Sequence, residues 1–186
     1  IPPGFKAPSD EDLAGTGLTQ DMLTPKGTQF TAAVYMKDPA VWGPSPEPAA
    51  VVAFRGSTVA GEDWKNNFAQ GLNAESDYYR SATEIGTALA GNGASAQIVG
   101  HSLGGGLASA AQGASGLPAS TYNAAGLHPD TVARYAGQGL AAQADQINAI
   151  RVQGEVLTKT QEEGMLSRFM HDAVGKKTDI APATNE

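Results

Sequence analysis

Cysteine is absent from the 186 residues, which excludes disulfides, a thiolate nucleophile and any zinc site built on sulfur. Basic residues are few. Twelve Lys and Arg against nineteen Asp and Glu give a formal net charge of -7, a balance that repels a phosphate backbone and makes nucleic acid a poor partner. Long apolar runs are also lacking: the longest aliphatic stretch, Ala49 to Phe54, is far short of the roughly 20 residues of a membrane-spanning helix. The chain opens Ile1-Pro2-Pro3-Gly4 with neither an initiator Met nor a basic and apolar leader, so a processed or excised N-terminus is expected. Hydrophobic residues make up 41% and charged ones 17%, which suits a globule and neither a disordered nor a coiled-coil chain.

No internal repeat or linker divides the sequence, so a single domain over residues 1–186 is expected, with residues 1–27 loop-rich apart from one short helix around Ser9 to Leu13. Phe30 to Met36 alternates like a strand, and Ala50-Val51-Val52-Ala53-Phe54 is the apolar run of a covered one; the two are expected to pair. Between them Pro39, Pro44, Pro46 and Pro48 interrupt regular structure around Trp42. Ser76 to Ala90 has helical spacing and ends at Gly91-Asn92-Gly93. Strand Ala96 to Val99, helix Leu103 to Gln112, strand Ala119 to Tyr122, helix Pro129 to Ala142 and strand Ile147 to Val152 follow. Such alternation predicts an α/β fold with a mostly parallel sheet and room for an antiparallel edge.

Gly100-His101-Ser102-Leu103-Gly104 carries the chemistry. It reads strand, Gly-x-Ser-x-Gly, helix, the turn that holds a serine in strained backbone at the top of a sheet. Glycine at 100 and 104 permits the close backbone approach that the turn needs. Ser102 is thus the candidate nucleophile, and the Leu103 N–H, at the positive end of the next helix, is the candidate oxyanion donor. His101 points elsewhere, in a packing or supporting role. A second donor is expected from the end of a neighbouring strand, where Arg55-Gly56-Ser57-Thr58 offers the N–H and hydroxyl of Ser57; taken alone that stretch is an ordinary strand-to-turn junction.

The same glycines, Gly100, Gly104 and Gly106, fit a dinucleotide-binding turn of the reductase type. That rival wants a carboxylate at the end of the next strand and a Tyr-x-x-x-Lys pair. Thr121-Tyr122-Asn123-Ala124-Ala125-Gly126 holds no carboxylate, and no tyrosine has the lysine. Neither a metal nor an organic cofactor is expected.

Val52-Ala53-Phe54-Arg55-Gly56-Ser57, Asp63-Trp64-x-x-Asn67, Gly100-His101-Ser102-Leu103-Gly104-Gly105 and Tyr122-Asn123-Ala124-Ala125-Gly126 together resemble the class 3 lipases, in particular a bacterial branch related to fungal triacylglycerol lipases. The resemblance spans about residues 50 to 157. It implies an α/β-hydrolase-like core with helices on both faces of the sheet, Ser102 as nucleophile, and Ser57 with Leu103 as the oxyanion hole. Trp64 in such proteins is a packing anchor. The interval Thr58 to Asp63 is too short for the helical lid of the fungal relatives, so micelles are expected to raise the rate only modestly; a steep rise would direct attention to the Trp42 loop as a cover. The resemblance also implies a lipase or phospholipase A acting on lipid esters, with the membrane surface met only as substrate. That branch includes toxins secreted or delivered into competing bacteria, which brings an inhibitory immunity protein as a partner. The rival from another class is a catalytically silent hydrolase-like domain that binds a partner.

Chain order in this fold is serine, acid, histidine. Glu155, just past the strand Ile147 to Val152, is the candidate acid, its alternative being a solvated loop carboxylate. Asp145 lies at the wrong edge of the sheet, and Asp130 reads as a helix N-terminal dipole partner. Of three histidines, His128 precedes the acid and only His171 follows it. Sixteen residues is a short connection for the base, and the chain closes at Thr184-Asn185-Glu186 without a final packed helix. The expectation is that the chain is truncated and its catalytic histidine lies beyond residue 186, with His171 as the in-chain candidate.

Overall fold

The computed structural model describes residues 1–56, 63–153 and 172–182. One seven-stranded sheet runs through it in sequence order: β1 (Phe5–Lys6), β2 (Ala32–Lys37), β3 (Ala50–Phe54), β4 (Ala96–His101), β5 (Ala119–Tyr122), β6 (Ile147–Val152) and β7 (Lys176–Ile180). The first two strands are antiparallel and form one edge; β3 to β7 are parallel. The α/β class and the paired strands β2 and β3 are as the sequence predicts.

Register explains the core. Val34, Val52, Ile98, Ala119 and Ile147 lie opposite one another in turn across five strands. All five are buried and belong to one hydrophobic cluster. The helices α4 (Asp63–Gly91) and α5 (Leu103–Ser115) cover this row, contributing Ile85, Leu89, Leu107, Ala108 and Ala111. Glycines let α5 approach both α4 and the sheet: a Cβ on Gly86 of α4 would overlap the Ala111 carbonyl, and one on Gly104 of α5 the Phe54 carbonyl of β3. Helices α1 (Asp10–Thr16) and α2 (Gln20–Leu23) bring Leu13 and Leu23 to the same cluster.

Among the described residues helices flank the sheet, with α4 and α5 packed on the face of this row. Each step from β3 to β7 moves to the next strand along the sheet. Val51, Val99 and Ile150, on the opposite face, are half-buried.

The N-terminal segment is more regular than expected. Ser9 caps α1 in a reciprocal box with Asp12, and Thr19 caps α2, both by the ordinary use of a hydroxyl on unpaired helix N–H groups. The Pro-rich loop holds a four-residue helix α3 (Pro39–Trp42), because Pro39 occupies the first helical position, where its missing N–H costs nothing. The helix expected over Pro129 to Ala142 is shorter, α6 (Thr131–Ala136): Gly137 and Gly139 take φ of 139° and 85° and end it. The helix expected from Ser76 begins earlier, at Asp63.

β7 is the strand that the pattern does not announce. Lys176-Lys177-Thr178-Asp179-Ile180 is exposed along its length, as befits a charged edge. Its pairing rests on main-chain bonds to β6 and on Arg151 opposite Asp179, with Nε to Oδ1 at 2.7 Å and Nη2 to Oδ2 at 3.0 Å.

Candidate active site

Parallel strands share a carboxyl edge, and Ser102 follows the end of β4 there. β4 ends at His101 and α5 begins at Leu103, leaving Ser102 alone to make the turn. Its backbone sits at φ 57°, ψ -128°, a conformation that costs a non-glycine residue on the order of 1–3 kcal/mol. Four hydrogen bonds hold it there. The Ser102 N–H donates to the Tyr122 carbonyl at 3.1 Å, and its carbonyl accepts from the N–H groups of Gly105, Gly106 and Ala125 at 2.9, 3.4 and 2.9 Å.

Ser102 occupies the N-cap of α5 yet makes no side-chain cap bond, unlike Ser9 and Thr19. A serine at an N-cap ordinarily gives its oxygen to the helix; the Ser102 hydroxyl makes no such bond. The Leu103 N–H, first in α5, has no bonding partner among the described residues, as expected at a helix start.

The glycines of the motif meet backbone. A Cβ on Gly100 would overlap the Gly104 carbonyl, one on Gly104 would overlap the Phe54 carbonyl, and one on Gly105 would come within 2.5 Å of the Ala124 Cβ. Gly104→Ala should therefore cost about 3 kcal/mol or more, since backbone cannot yield as a side chain does; urea unfolding of the variant against wild type measures it. The same contacts speak against the dinucleotide reading: the faces of Gly100 and Gly104 meet the protein's own backbone.

Gly56 crosses directly over the nucleophile. A Cβ there would lie 2.8 Å from the His101 carbonyl and 3.5 Å from the Ser102 Cβ. The residue after it, Ser57, lies outside the described residues, as do Glu155 and His171. Of the five site residues expected from sequence, the structure describes Ser102 and Leu103 and brings them together at the head of α5.

The histidines that are described stand apart from the turn's hydrogen bonds. His101 is exposed, so it has no packing role. His128 follows β5 on the same edge and is half-exposed, its Nδ1 accepting the Asp130 N–H at 3.1 Å with the Asp130 carboxylate 3.9 Å away. Asp130 caps α6 by position but not by side chain, and Asp145 lies before β6 on the amino edge. Trp42 lies there too: α3 follows β2, whose end pairs with the start of β3. The Trp42 loop is thus at the opposite edge from Ser102 and is no cover for it. Asn123 is the residue that sequence reasoning missed; a buried Asn closing a short strand, a residue type that tolerates left-handed backbone, was the signal.

A family model for the Tle-like phospholipase domain matches residues 1–184. The chain belongs to this phospholipase-like family. It is also 34% identical over 183 residues to a protein of Serratia liquefaciens named extracellular phospholipase A1, covering 96% of this chain and 53% of that one. The chain thus spans about half the length of that relative. Of the resemblance read from the sequence, these matches support the bacterial phospholipase part.

Proposed function

We propose that this chain carries the nucleophile and oxyanion hole of a serine ester hydrolase acting on phospholipids, of the phospholipase A type. The observation that carries the reading is Ser102 itself, a strained serine at a helix N-terminus whose hydroxyl caps nothing. In the reaction the Ser102 Oγ attacks the acyl carbonyl as a histidine takes its proton. The resulting oxyanion accepts hydrogen bonds from the Leu103 N–H and from Ser57, for which the path of Gly56 over Ser102 is the support. Collapse breaks the ester C–O bond, the histidine returns the proton to the leaving alcohol, and water releases the fatty acid by the same steps. Glu155, three residues past β6, orients the histidine.

The extracellular relative favours action outside the producing cell. The resemblance to secreted antibacterial lipases adds an inhibitory partner, which would block esters by covering the Ser102 edge.

An organophosphonate should modify Ser102 and no other serine, because only a serine flanked by a base and oxyanion donors reacts. Peptide mass mapping of the full-length protein locates the adduct. Labelling elsewhere, or none in a folded preparation, would falsify the hydrolase reading and favour the silent binding domain.

A further inference from the structure

β5 is four residues long and β6 six, so the last two residues of β6 outrun the strand beside it. Asn123 makes up the difference. Its backbone, at φ 42°, turns the chain away from the sheet, and its N–H donates to the Ile150 carbonyl at 2.9 Å as the last main-chain step of the pairing. The side chain then takes over: Oδ1 accepts the Val152 N–H at 2.7 Å, where a longer β5 would have offered a carbonyl. This amide is buried, with 8% of Asn123 exposed. On the other side of β6 the Gln153 N–H reaches the Ile180 carbonyl at 2.9 Å.

The substitution of side chain for main chain has a purpose at the neighbouring turn. A β5 that continued to pair with Val152 could not bend at 123, and the Ala125 N–H could not return to the Ser102 carbonyl at 2.9 Å. Tyr122, one residue before Asn123, accepts the Ser102 N–H. Two consecutive residues therefore tie the nucleophile's turn to the end of β6.

We infer that Asn123 is a positioning residue for the reaction, fixing the end of β6 relative to the turn that carries Ser102. The inference rests on the reading of Ser102 as nucleophile. Three variants separate its parts. Asn123→Gly keeps the left-handed backbone and deletes the clasp; Asn123→Ala deletes the clasp and strains the backbone; Asn123→Asp keeps an acceptor and a residue type that tolerates the turn.

The test measures kcat and KM on a short-chain p-nitrophenyl ester with the full-length enzyme, alongside thermal melts and phosphonate labelling of wild type. Asn123→Gly should stay folded at the assay temperature and lose about 10- to 100-fold in kcat, the penalty of a misplaced group, with KM nearly unchanged. Asn123→Asp should restore most of the rate. Wild-type kcat in a folded Asn123→Gly protein, or an Asp variant that fails as badly as Ala, overturns the inference while labelling of wild-type Ser102 leaves the hydrolase reading intact. A wild type that phosphonate does not label overturns both.

Discussion

Ser102→Ala is expected to lower turnover on phospholipid or a p-nitrophenyl ester by about a thousandfold or more, with little change in melting temperature. The size follows from chemistry: alanine has nothing to attack with, and what remains is the donors and substrate binding. The unchanged stability follows from the structure. The hydroxyl makes no cap bond to α5, so its removal leaves no helix group unpaired, and alanine pays the same conformational penalty as serine at φ 57°. A second substitution sharpens the point. Ser102→Gly should be equally inactive yet more stable by about 1 kcal/mol, because glycine takes that backbone without strain. Initial rates and urea unfolding of the three proteins check both statements. A Ser102→Ala protein that retains a tenth of wild-type turnover would remove Ser102 from the chemistry.

How much of this was legible beforehand depends on where each element takes its definition from. β3, β5 and β6 have the predicted bounds, since apolar runs and flanking turn residues are local signals. The turn at Ser102 was legible for the same reason: glycines two residues on either side of it answer to contacts that a Cβ cannot make. β7 was not, because Lys176 to Ile180 has no apolar face and takes its place from partners such as Arg151, far off in sequence. α6 ends early at glycines whose positive φ outweighs helical spacing. Asn123 was noticed only within a motif; its task exists because β5 is shorter than β6, a relation between two strands that neither records alone.

A polypeptide of residues 1–186 is expected to hydrolyse esters about a thousandfold or more slowly than the natural full-length protein, the scale of losing a general base, and His171→Ala in the latter should keep most activity. The reasoning concerns edges of the sheet. Ser102 stands at the carboxyl edge. His171 lies outside the described residues, but the chain directly after it enters β7 from the amino edge: Gly175 packs against Ile147, the first residue of β6, and Lys177 pairs with Asp172 at 3.7 Å. β6 spans six residues, roughly 17 Å between the two edges. β7 then runs parallel to β6 and delivers the chain at Ile180 to the edge that holds Ser102. A base carried after β7 meets the serine, acid, histidine order and arrives on the edge that holds Ser102. Initial rates for residues 1–186, for the full-length protein and for its His171→Ala variant decide the matter. Full activity in residues 1–186, abolished by His171→Ala, would make His171 the base.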